Sequence, residues 1–234
     1  MDQHKVSRFI LAHFTDSNGQ VWTYDKTTGK HWPASPDRTG VEAHYYSVER
    51  DDGSMDTTIE DLFSTMEGEA APVYERLAKG ELPKGTDRET FGHFLGLVFT
   101  RTPGMRRFAP MVHKFGIETH IAAQAQIPKA FSALLKRMEA AGLDVSDPER
   151  LKRAMVDLSG FNLVVPKEMT LAPISHARAF ADIFLKMKWS LARSPDHYLV
   201  TCDDPIFRAV DRSPYTRCTE VAASQTRRQR SLYQ

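Results

Sequence analysis

Cysteine is nearly absent: Cys202 and Cys218 are the only two in 234 residues. Their spacing fits no zinc-binding pattern, and one pair in a chain this long builds no disulfide framework. The thiols read as reduced, which fits a cytoplasmic setting. An excess of either charge is also missing, since 31 Lys and Arg offset 30 Asp and Glu. No field of the whole molecule then draws in nucleic acid or anionic lipid, and such binding would need a local patch. Long apolar runs are lacking too. The opening MDQHKVSRFILAHF interrupts its apolar residues with charge, so it forms no signal-peptide core, and no run reaches the roughly 20 apolar residues of a membrane span.

Several chemical signatures are likewise absent. The chain has no GxxxxGK[ST], paired-glycine dinucleotide fingerprint, HExxH, GxSxG or CxxC. That argues against a nucleotide-cofactor enzyme, an α/β-hydrolase and a zinc finger. What is present is the composition of a globular protein, 41% hydrophobic and 26% charged. We expect a single domain over residues 1–207. Residues 208–234 form a polar, basic tail too poor in large apolar side chains to fold alone. Arg227, Arg228 and Arg230 lie in it without interleaved aromatics, so the nucleic-acid signal is weak.

Periodicity organises the rest. Val6, Phe9, Ile10 and Phe14 recur at helical spacing and predict a short first helix, with His4 just before its first turn. QVWTYDK alternates as a strand and, through TTGK, predicts a hairpin with His31-Trp32; VEAHYYSV is a further candidate strand. Capping-box patterns at Thr57-x-x-Glu60 and Thr86-x-x-Glu89 open two helices. The second carries a broad apolar face from Phe91 to Phe99 and ends near Thr102-Pro103-Gly104. A long helical stretch follows, interrupted at Pro128 and stopped at Gly142. Helices from Ser146 and over Ile174 to Met187 come next, then KWSLAR and HYLVTC, which predict a C-terminal hairpin. The fold class is α+β: a central helical layer packed on a small, mostly antiparallel sheet from the N- and C-terminal hairpins.

Four residues stand out chemically. His4 has the side chain best suited to proton transfer near neutral pH and to metal binding; equally, it can pack on or cap the first helix. Glu67 lies two turns beyond Glu60, so both carboxylates and Ser64 share one helix face, as metal ligands or as a solvated row. Arg101, late in an apolar helix, either stabilises the helix C-terminus or pairs with a carboxylate such as Glu67 or Asp203, or grips an anionic ligand. Asp203 follows the apolar YLVT and precedes Pro205. It serves a site at a strand end or closes an Asx-turn.

Three pieces of the chain carry a resemblance to a family: HKVSRFILAHF followed by VWTYDK, IEDLFSTMEGEAAPVYERL with FLGLVFTRTP, and WSL with TCDDP. Together they resemble the bacterial domain-of-unknown-function family 4238. That family commonly has proline where this chain has Ser7, and Thr-Ser-Asp-Asn-Pro where this chain has Thr201-Cys202-Asp203-Asp204-Pro205. The resemblance makes Asp203 the motif aspartate. It also implies further strands after the motif, where this chain runs into its arginine-rich tail, as a truncated or frame-shifted C-terminus would. The family name supplies no reaction.

Two functional classes follow. One is a metal-assisted hydrolase acting on phosphodiester-type substrates: His4, Arg101 and Asp203 catalytic, Glu67 and Asp203 holding a divalent metal ion. The other is a non-catalytic accessory or interaction protein, for instance of a defence or mobile-element locus, in which the same residues form a buried His/Arg/Asp network. An interaction protein would expose an apolar patch or an oligomer interface.

Overall fold

Two glycines one helical turn apart let two helices meet backbone to backbone. The computed structural model describes residues 2–161, 163–192 and 200–206. Within them α3 spans Gly85–Thr100 and α7 spans Ala177–Lys186. A Cβ built on Gly96 would lie 2.3 Å from the Ala177 carbonyl oxygen and 2.7 Å from the Ala181 nitrogen, and one on Gly92 would strike Leu185. Small residues on both helices thus let the backbones approach, and larger side chains above and below seal the contact. Phe91, Phe94, Leu95 and Val98 of α3 meet Phe184 of α7 and Ala70, Val73, Tyr74 and Leu77 of α2, Thr58–Ala78. Burial of Tyr74 pushes its phenol up to about 12. Arg88 closes the far end of α7: its guanidinium donates to the carbonyls of Leu185 and Met187 and stacks over Trp189 at 4.3 Å.

The chain divides into two compact units, Met1–Arg106 with Leu171–Gln234, and Arg107–Thr170. Among the described residues the strands all lie in the N-terminal portion of the first. β1 (Asp2–His4) pairs antiparallel with β4 (Val41–Ala43), β2 (Val21–Tyr24) with β3 (His31–Ala34), and β5 (Val48–Glu49) with β6 (Met55–Asp56). The class is α+β, with three two-stranded antiparallel ladders in place of one sheet. VEAHYYSV splits into β4 and β5 because His44 takes a positive φ of 53°, which ends the ladder. Residues 193–199 of the hairpin expected over Trp189–Cys202 lie outside the described set, as does the tail, and the described residues 189–192 and 200–202 belong to no strand.

Other expectations changed in detail. His4 lies in β1, and the first helix is α1, Arg8–Ala12. Thr57 is the N-cap of α2 but makes no side-chain cap bond; the Asp56 carboxylate accepts from the Thr58 amide instead. Thr86 lies inside the first turn of α3, whose N-cap is Lys84, so that second capping box does not form. Pro128 does separate two helices, α4 (Pro103–Gln126) and α5 (Pro128–Ala140), where it occupies the N-terminal position at which a missing N–H is tolerated. α4 begins in the first unit. The second unit contains its remainder, α5 and α6 (Pro148–Val156), with Gly142 in the left-handed region after α5.

Gly96→Ala is expected to lower stability by about 3 kcal/mol, because the added methyl meets backbone atoms that cannot rotate away. Gly68→Ala on α2, where the Cβ meets nothing within 4 Å, should be neutral or stabilising. Urea denaturation of the two variants checks the difference.

Candidate functional site

Gln3, Val6 and Ser7 carry the N-terminal segment into the interior of the first unit, and the two polar side chains among them hold it there. Gln3, fully buried in β1, donates to the Ser47 hydroxyl at 2.9 Å and accepts from the Tyr46 amide at 2.5 Å. The Tyr46 hydroxyl donates to the His4 carbonyl at 3.3 Å, and its ring packs edge-on against Phe63 of α2 at 4.5 Å. Burial raises the Tyr46 phenol far above its ordinary value, so it stays a neutral donor.

Ser7, the N-cap of α1, is also fully buried, and its hydroxyl makes no cap bond. It serves a charge instead. Arg101 is 1% exposed at the C-terminus of α3. Its Nη1 lies 2.8 Å from Glu67 Oε1, and its Nη2 donates to Ser7 Oγ at 2.5 Å. Ser7 Oγ in turn donates to the same Glu67 oxygen at 2.8 Å. Three groups from three elements thus close a triangle, with the guanidinium carbon 5.1 Å above the Phe63 ring. The Arg101 Nε finds no hydrogen-bond partner among the described residues. The Glu67 side chain keeps 24% of its surface exposed, so the triangle reaches solvent on the α2 side.

Glu60 lies on the same α2 face, half buried. Loss of water and the Glu67 carboxylate push its pKa up, while Arg101 and His4 pull it part-way back. His4, half buried, directs Nε2 at the Pro36 carbonyl at 3.2 Å; a carbonyl only accepts, so this nitrogen carries the proton. The structure therefore brings together Ser7, Glu60, Glu67 and Arg101, with His4 close enough to act on Glu60.

Asp203 does not join them through any hydrogen bond or ion pair among the described residues, and it is exposed. Its neighbour Asp204 is the better placed. Its Oδ2 lies where a Cβ on Gly104 would be only 2.9 Å away, so glycine lets the carboxylate lie against the first turn of α4, whose dipole favours it. Among the described residues no three His, Cys, Asp or Glu side chains gather as a metal site, and Glu67 Oε1 is already engaged by Arg101 and Ser7.

Ser7, Gln3 and Tyr46 were not singled out from the sequence. For Ser7 the departure from the resembled proline was the available signal; a buried Gln3 has none, since one polar residue in a short strand reads as solvated. Outside the network, the β2–β3 hairpin presents Trp22 and Tyr24 to solvent on one face, opposite Pro33 and His31.

An α+β chain with a buried serine–glutamate–arginine triangle joining its N-terminus to two helices is the class that fold and site define. The chain belongs to the family described as "Protein of unknown function (DUF4238)", whose family model matches residues 2–225. No curated protein and no solved structure matches it.

Two outcomes follow. Arg101→Met should cost about 3 kcal/mol, and adding Glu67→Met should recover part of that loss, because a lone buried charge costs more than no pair; a double-mutant cycle in urea measures both. Glu60 concerns pH. The folded state holds its proton more tightly than the unfolded chain, so stability falls as pH rises from the ordinary 4.5 through the folded value. Glu60→Gln is therefore expected to exceed the wild type in melting temperature at neutral pH, the gap closing below pH 4.5.

Proposed function

We propose that this chain is a non-catalytic interaction protein, in which Ser7, Glu67 and Arg101 are a structural clasp. The observation that supports this most directly is the closure of the triangle: Arg101 Nη1 and Nη2, the Ser7 hydroxyl and Glu67 Oε1 are each turned toward another member. A nucleophile or base needs a lone pair aimed at substrate, and an oxyanion donor needs an N–H aimed at the reacting atom. Here the Ser7 hydroxyl proton and the bound Glu67 oxygen are both used internally. His4, whose Nε2–H is spent on Pro36, serves the same purpose of securing β1. Binding then falls to exposed apolar surface, a role within an accessory or interaction protein of a larger locus.

One observation favours the hydrolase instead. Glu60 is a half-buried carboxyl with a raised pKa beside a second carboxylate, the arrangement of a general acid. In that reading Glu60 donates the proton, Glu67 and Arg101 position it, and His4 lies beside it.

Turnover separates the two. Wild type, Glu60→Gln and Glu67→Gln are assayed on a phosphodiester such as bis-p-nitrophenyl phosphate, with and without magnesium, manganese or zinc, and their melting temperatures are recorded alongside. The clasp reading expects no turnover above buffer in any protein and no metal-dependent rise in melting temperature. Turnover that Glu60→Gln abolishes while leaving the fold intact overturns it.

A further inference from the structure

The second unit buries almost nothing. Of the described residues in Arg107–Thr170, Ala125 alone is fully buried, although the unit comprises most of α4, all of α5 and α6 and a 3-10 turn at Leu158–Gly160. Helices of this length are marginal in water unless an apolar face is covered. α4 carries such a face outward. Phe108, Met111, Val112 and Phe115 follow one another at spacings of three, one and three, one stripe of an α-helix, and all are 47–67% exposed. The stripe continues through Thr119 and Ala122 into an open groove of about 440 Å³, walled on its far side by Val156, Leu158 and Phe161. Val156 and Phe161 are exposed as well.

From these features we infer that the occupant of this surface is a second copy of the same chain, its α4 laid antiparallel on the first. This rests on the reading of the protein as an interaction module and names its partner. The argument has two parts. The first is area. Scaled by exposure, Phe108, Met111, Val112, Phe115, Val156 and Phe161 offer on the order of 600 Å² of apolar surface per copy. That approaches the roughly 800 Å² per partner of a standard interface, before any polar rim is counted.

The second is charge. Arg107, Lys114 and Glu118 fall along one edge of the stripe at 100° per residue. In an antiparallel pair with a two-fold axis each edge meets its own copy. With Val112 on the axis, Phe108 of each copy lies over Phe115 of the other, and Arg107 of each comes beside Glu118 of the other. The basic N-terminal part of the edge thus faces its acidic part twice in one interface. In a parallel two-fold pair each edge would instead meet the partner's other edge, where Ala109, Gly116 and Ala123 carry no charge, so only the antiparallel direction pairs Arg107 with Glu118.

The experiment uses the full chain. Sedimentation equilibrium from about 1 to about 100 µM is expected to give a reversible dimer. Val112→Glu should weaken it about tenfold or more with circular dichroism unchanged, since Val112 is exposed in the free chain. Arg107→Glu should weaken the dimer, and Arg107→Glu with Glu118→Arg should restore it, which a merely apolar association would not do. As a direct geometric readout, Val112→Cys in a Cys202→Ser/Cys218→Ser background should form a disulfide-linked dimer under mild oxidation, whereas Lys136→Cys in that background should not. A chain that stays monomeric throughout, or a dimer untouched by Val112→Glu, overturns the inference. So does a monomer whose stripe instead binds lipid vesicles. None of these outcomes depends on turnover, so failure of the dimer and failure of the clasp reading are read separately.

Discussion

A guanidinium with 1% of its surface exposed has to be neutralised where it stands, and much of the first unit is arranged around that requirement. Arg101 cannot reach water from the end of α3, so Glu67 must come to it from α2 and Ser7 from the N-terminal segment. Ser7 can do so only because β1 is held at depth by Gln3 and Tyr46. The side-chain oxygen that would ordinarily cap α1 is diverted to the charge. Glu60 feels the consequence: it lies on the same helix face, short of water and beside the carboxylate that Arg101 has captured.

The remaining order comes from shape. Gly92 and Gly96 let α7 approach α3 until backbone meets backbone, and a ring of phenylalanines then excludes water from the joint. Arg88, stacked on Trp189 and bonded to the last carbonyls of α7, keeps that helix from fraying. Close packing and the buried clasp share α3: its middle meets α7 and its end carries Arg101. Disturbing either should be felt in the other, since both depend on the same helix axis.

The two units differ in how they satisfy the hydrophobic effect. The first has a core of aromatic and aliphatic side chains around α2, α3 and α7 and a second cluster around Tyr46 and Phe63. The second has amphipathic helices with one fully buried residue among those described, and its largest side chains face outward. The first unit closes polar groups into its interior, and the second leaves an apolar stripe of α4 exposed.

The sequence by itself determined the α+β class, most helix positions and the shared face of Glu60 and Glu67, because hydrophobic period, capping residues and prolines act over a few residues and leave a local trace. It marked Arg101 as an end-of-helix charge in need of a carboxylate and offered both Glu67 and Asp203. Only the tertiary structure decided between them. Glu67 and Ser7 arrive from positions 34 and 94 residues away, Asp203 faces solvent, and Asp204 rests on Gly104. Such choices depend on which backbones approach closely, and no short-range pattern encodes that. Nor could periodicity tell that the α4 stripe faces outward: an apolar stripe reads the same whether its cover comes from the same chain or from another.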